Sequence, residues 1–166
     1  MKHLVALALV LLLAACGFTP MYGPQSGAKS GVAAAKGLDN VDIDIIPNAE
    51  GVALRNALID RFYANGYPSN PRYRLSVAPV TEDVVDFDIT VESETTSRQL
   101  KLGTQFGLKD LQTGEIILKR SVFAYASYNV IGSQFTTRVS EADAREAAIN
   151  DLARQIETQL SLYFNR

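Results

Sequence analysis

The chain has 166 residues, 47% of them hydrophobic and 20% charged, with a formal net charge of −2, one histidine and one cysteine. That near-neutral balance carries no basic footprint for nucleic acid. The length suits one domain with a proper core.

The chain opens with Lys2 and His3, followed by twelve apolar residues from Leu4 to Ala15. Spanning a bilayer as a helix takes roughly 20 apolar residues, so this run is too short to be an anchor. A charged start, a short apolar core and a small-residue end describe a secretory signal peptide over residues 1–15. The unit Leu13-Ala14-Ala15-Cys16 resembles the lipobox of bacterial lipoproteins, in which the cysteine is acylated and becomes the first mature residue. An ordinary signal peptide with a chance cysteine nearby is the plainer alternative. A lone thiol in an oxidising compartment is a liability that a thioether-linked lipid removes. Several acyl chains make a durable anchor where one binds only marginally. Gly17 stands where Asp commonly signals inner-membrane retention in lipoproteins, which leaves export to the outer membrane open.

Cleavage also subtracts chemistry. His3 departs with the leader and Cys16 is acylated, so the mature domain keeps neither an imidazole nor a free thiol. Ser–His, Cys–His and histidine–zinc sites are thereby excluded. No enzyme is expected, and no cofactor beyond the covalent lipid on Cys16.

Residues 16–37 are rich in Gly, Ser, Ala, Pro and Gln and read as a flexible tether in which Phe18, Met21 and Tyr22 are the bulky side chains. A single domain is expected over 38–166. Val41–Ile46 alternates apolar with acidic, placing Val41, Ile43 and Ile45 on one face of a half-buried strand. Pro47 ends it, Asn48 is a suitable N-cap, and Leu54, Leu58 and Phe62 recur at helical spacing until Asn65-Gly66 and Pro68 stop the helix. Tyr73, Leu75 and Val77 alternate with polar residues up to Pro79, and Phe87, Ile89 and Val91 do so again, as a continuation of one long strand past an irregularity. Leu100, Leu102, Phe106 and Leu108 form the next strand, Leu111–Gly114 a hairpin turn, and Ile116–Val130 a long return strand. Ser127–Thr137 suits a contact loop. Ser140 with Asp143 three residues on suggests the start of a last helix. Ile149, Leu152, Ile156, Leu160 and Tyr163 stripe its buried face. The expected fold is α+β in the order β-α-β-β-β-α, with two helices packed on one face of a mainly antiparallel sheet of about four strands.

Three constellations carry possible chemistry. The acids Glu82, Asp83, Asp86, Asp88, Glu92 and Glu94 lack the D-x-D-x-D-G calcium pattern, and strand alternation accounts for Asp86 and Asp88 as a solvated face. The bases Arg72, Arg74, Arg98, Lys101, Lys109, Lys119 and Arg120 would engage phosphates if several share a face, or would simply blunt exposed edges. Phe123, Tyr125 and Tyr128, with Phe135 beyond, sit on or near a strand with two partly apolar faces, a candidate for contact with a partner wall or else core packing.

"CGFTPMYG" (Cys16–Gly23), "SYNV" (Ser127–Val130) and the terminal Ser140–Phe164 stretch together resemble the LptE family of lipopolysaccharide-assembly lipoproteins, Met21 standing where Leu is usual. The resemblance implies an outer-membrane lipoprotein, lipid-anchored, with its domain on the periplasmic side or inside the lumen of a large β-barrel of the LptD type. It would act there as plug and assembly partner in carrying lipopolysaccharide to the outer leaflet. Family members are proposed to bind lipopolysaccharide through basic residues of the sheet. No motif fixes these here, so Arg98, Lys101 and Lys119 are selected by position and charge, and Phe123, Tyr125 and Tyr128 as barrel contacts. Two other readings stand beside it. A periplasmic carrier would shield acyl chains in a large apolar pocket of its own, and a carboxylate-only hydrolase would need a raised carboxylate pKa in a cleft.

Overall fold

The computed structural model describes residues 37–64, 66–89, 95–130 and 133–165. The leader, Cys16, Phe18, Met21, Tyr22 and the tether through residue 36 lie outside them, as do Val91, Glu92 and Glu94.

A 3-10 turn at Leu38–Asn40 leads into strand β1 (Val41–Ile43), then helix α1 (Ala49–Phe62) and strand β2 (Tyr73–Val77). Strands β3 (Thr81–Ile89), β4 (Thr95–Asp110) and β5 (Ile116–Asn129) follow, and helix α2 (Gln134–Phe164) closes the described chain. β1 lies parallel to β2, and every other pairing is antiparallel. The class is the expected α+β, with five strands in place of about four.

The extra strand comes from the irregularity at Pro79. β2 pairs with the last third of β4, ending at Val77↔Phe106, and β3 resumes on the same edge at Thr81↔Gly103. Ala78 bridges the gap, its N–H donating to Gln105 O (2.8 Å) and its carbonyl accepting from Thr104 Oγ1 (2.8 Å). Pro79 has no N–H to donate, so the ladder breaks there. Counted as one interrupted rail, β2 and β3 restore the expected element order.

On β4 the even-numbered residues Leu100, Leu102, Phe106 and Leu108 are buried. They join Leu54, Leu58 and Phe62 of α1 and Ile149, Leu152, Ile156 and Leu160 of α2 in one core. Both helices therefore cover the same face of the sheet. Arg61 of α1 pairs with Glu157 of α2 at 3.0 Å. Asn48, at φ 64°, caps α1 by accepting from Gly51 N (2.8 Å) and donates to Val80 O (2.9 Å), which pins the helix start to the break between β2 and β3. Gly51 is required there, because a Cβ would come within 2.8 Å of Ile46. In the β4–β5 turn, the backbone N–H groups of Gln112 (2.7 Å) and Thr113 (3.3 Å) donate to Asp110 Oδ1. The Gln112 contact chiefly holds the Asp110 carboxyl below its ordinary pKa, and Arg72 adds to it.

Three expectations are corrected. β1 ends at Ile43, so Ile45 is exposed and Ile46 turns inward to the core. The cause is local: Asp44 N still donates to Leu75 O (3.0 Å), but the Asp44 carboxylate then captures Ile45 N (2.8 Å) and turns the chain. The last helix begins at Gln134, with Ser133 as N-cap, so Ser140 and Asp143 lie within it. Phe135, Thr136, Thr137 and Val139 are weak helix formers, which hid its first turns from a pattern reading. Consequently Ser127–Thr137 is not a contact loop: Ser127–Asn129 end β5 and Gln134–Thr137 open α2.

Candidate functional site

Residues directly opposite one another in a sheet project from the same face, so the register defines the surface the helices leave bare. Its rows run from β3 across β4 to β5: Thr81–Gly103–Phe123, Asp83–Lys101–Tyr125 and Val85–Gln99–Ser127. Nearer the turn, Ser76–Gly107–Lys119 and Asp42–Arg74–Lys109 complete the face.

Four of the six selected residues meet here. Phe123 and Tyr125 are 49% and 58% exposed. The Lys101 ammonium lies over the Phe123 ring, 5.2 Å from its centroid, a cation–π arrangement that holds the charge at the centre of the face. Asp83 and Tyr125 flank Lys101 across the two neighbouring strands. Lys119 stands on the same face four residues before Phe123 on β5, about 13 Å along the strand.

The other two lie on the opposite face. Tyr128 is 6% exposed and belongs to the core, so it presents no contact surface in this chain. Strand parity decides this, because Val122, Ala124 and Tyr128 alternate with Phe123 and Tyr125. Arg98 sits opposite Tyr128 and is bound by Asp86 (Nε–Oδ1 2.8 Å). That contact, with a second from the Tyr128 hydroxyl, raises the Arg98 pKa above the usual arginine value. Arg98 is therefore committed to holding β3, β4 and β5 together.

One element was missed in the sequence. A Cβ on Gly103 would come within 2.9 Å of the Phe123 ring and 3.3 Å of Thr81 Oγ1. Glycine at 103 is what lets Phe123 lie flat across β4, beside a cavity of about 220 Å³ opened by the break at Pro79. An isolated glycine inside an alternating strand is itself a signal of close approach, and was available to be read.

The acidic group disperses once folded. Asp83 faces outward with Lys101 and Asp86 inward with Arg98. Glu82 grips the Arg145 guanidinium of α2 through two bonds of 2.8 and 2.9 Å. Arg145 bonds Glu141 as well (2.8 Å), and these two carboxylates raise its pKa well above the arginine range. In return the Arg145 hydrogen bond lowers the Glu82 pKa. Glu82 and Asp110 are thus both held ionised, the reverse of what a carboxylic general acid requires. Among the described residues no cluster of metal-ligating side chains occurs, and no helix is long and apolar enough to cross a membrane. The space between sheet and helices is filled by the core side chains. A groove of about 500 Å³ lies instead between the two helices, lined by Asn56, Asp60, Glu146 and Asn150 among others.

The described residues form a two-layer α+β domain with one bare sheet face, and comparison with known proteins gives its class. The chain belongs to the LptE family, described as lipopolysaccharide-assembly, which matches residues 38–160. It is similar in structure to a minor lipoprotein from Acinetobacter baumannii, with 26% identity and a TM-score of 0.60 over 74% of this chain and 90% of that one. It also shares the fold of rare lipoprotein B from Shewanella oneidensis, with 11% identity and a TM-score of 0.57 over 75% of this chain and 96% of that one. No curated protein matches. The protein is accordingly a lipopolysaccharide-assembly lipoprotein.

Proposed function

We propose that this lipoprotein is the plug and assembly partner of a large outer-membrane β-barrel of the LptD type, acting in delivery of lipopolysaccharide to the outer leaflet. In this reading Cys16 carries the lipid that holds it to the outer membrane. The observation that carries the proposal is the bare sheet face: polar and charged, with Phe123 and Tyr125 standing out of it. A barrel lumen is polar, so a plug for it needs a polar wall with scattered aromatic contacts rather than one greasy patch. Lys101 and Lys119 share that face and are the residues offered to glycolipid phosphates.

The test is to solubilise outer membranes in mild detergent, pull on a C-terminal tag and weigh what comes down. A stoichiometric large β-barrel is expected, and it should vanish when the domain is deleted behind an intact Cys16. A monomer carrying only lipid would overturn the proposal. For the glycolipid role, Lys101→Ser with Lys119→Ser should weaken lipopolysaccharide binding several-fold, through lost charge-assisted contacts. Arg98→Ser should not, its charge being engaged with Asp86 on the other face. Binding unchanged in the double variant would remove the role.

A further inference from the structure

The two ends of the domain differ in a way the bare sheet face does not explain. At one end the first row of the sheet is Val41–Tyr73–Asp110, and the next, Asp42–Arg74–Lys109, continues to Ile116 at the rim of the bare face on β5. The C-termini of both helices arrive here. Tyr63, just after α1, donates to Val41 O (2.9 Å) and accepts from Ile43 N (3.1 Å), and Phe164 packs on Tyr73 with ring centroids 5.1 Å apart. Tyr67 stacks on Tyr63 at 4.8 Å. Around this aromatic group stand exposed apolar side chains: Tyr67 is 69% exposed, Ile116 67%, Leu162 60% and Leu111 37%. Arg72 at this end is occupied, lying over Tyr73 (5.3 Å) and bonding Asp110 (3.5 Å).

The chain from Cys16 enters at this same end. Gly37 is pressed against the Phe164 ring, where a Cβ would come within 3.0 Å. The twenty residues between Cys16 and Gly37 span at most about 70 Å when extended. The opposite end of α2, where Phe135 is exposed, lies about 46 Å away along a 31-residue helix.

We infer that this tyrosine-rich, apolar-rimmed end is a membrane-resting surface: before a partner takes it up, the lipoprotein stands on the bilayer headgroup layer on Tyr67, Leu111, Ile116 and Leu162. The occupant is a lipid surface, because Gly37, through which the chain from Cys16 reaches the described residues, packs at this end. Tyrosine favours the boundary of water and hydrocarbon, with its ring in the apolar side and its hydroxyl wet. Arg72 is paired internally, so that charge is already engaged within the domain. The bare sheet face is then left standing off the membrane for a partner. The inference rests on acylation of Cys16 as proposed above.

The chain contains no tryptophan, so a single one reports its own surroundings. The full lipidated protein carrying Tyr67→Trp, Leu162→Trp, Ile116→Trp or Phe135→Trp would be placed on phosphatidylcholine vesicles brominated near the top of their acyl chains. Tryptophan at 67, 116 and 162 should be blue-shifted and quenched about twofold or more, as for side chains buried at the headgroup boundary, while 135 stays unquenched. Equal quenching at both ends, or none at either, overturns the inference. Flotation with the vesicles, lost in Cys16→Ser, reads the anchor separately. A protein that floats without end-selective quenching sinks the resting surface and leaves the anchor intact, whereas one that does not float sinks both.

Discussion

The two faces of the one sheet are made from the same strands yet obey opposite rules. On the helix side β4 contributes Leu100, Leu102, Phe106 and Leu108, all within 2% of full burial. On the bare side the intervening positions are Gln99, Lys101, Gly103, Gln105, Gly107 and Lys109. Stability resides in the first face, where removing a buried methylene also leaves a cavity. Apart from Gly103, held small by Phe123, the second face varies in residue type at smaller cost to the fold, so its aromatics and lysines call for a reason other than folding. Phe123 is the instructive case: exposed to nearly half, it is still seated, on Gly103 and beneath Lys101.

The sharpest test of that contrast is Leu152→Ala, fully buried on α2; it should lower the unfolding free energy by about 2–5 kcal/mol, read from the urea midpoint. A loss within a few tenths of a kilocalorie would mean that α2 is not part of the core. Next comes Asn48→Ala, which removes both the α1 cap and the bond to Val80 O. About 1–2 kcal/mol should be lost, and circular dichroism should show whether α1 frays from its start.

Glu82→Gln tests whether the link from the β3 edge to α2 is electrostatic. It should cost about 1 kcal/mol at neutral pH, being a partly exposed pair. The Glu82 pKa is lowered in the folded state, so its contribution is fully present above the unfolded value near 4.5 and fades as pH falls through the folded one. Wild type and variant should therefore converge in acid. A gap that persists unchanged at low pH would mark the contact as packing rather than charge. The smallest effect belongs to the bare face: Tyr125→Ala should shift stability by about 0.5 kcal/mol or less. Any loss of partner binding by that variant would then be attributable to the surface itself.

Much of this architecture was legible along the chain. The Leu54–Leu58–Phe62 and Leu152–Ile156–Leu160 stripes, the Asn48 cap and the turn ending at Gly114 are local signals, because the helical and strand periods write burial directly into residue order. The long strand broken at Pro79 was legible for the same reason, since a residue without an N–H must interrupt a ladder. The early start of α2 was hidden, because Thr136, Thr137 and Val139 speak for strand while the helix that follows carries them along.

The selected site divided along the same line. Sequence by itself determined that Lys101, Phe123 and Tyr125 are strand residues. Only the tertiary structure decided that Lys101, Lys119, Phe123 and Tyr125 share a face, and that Arg98 and Tyr128 are turned away from it. It alone brought Tyr63, Tyr67, Tyr73 and Phe164 to the end where the tether enters. The physical reason is that parity along a strand is local, whereas which parity the helices cover, and which residues of distant strands stand in one row, are set by register between strands.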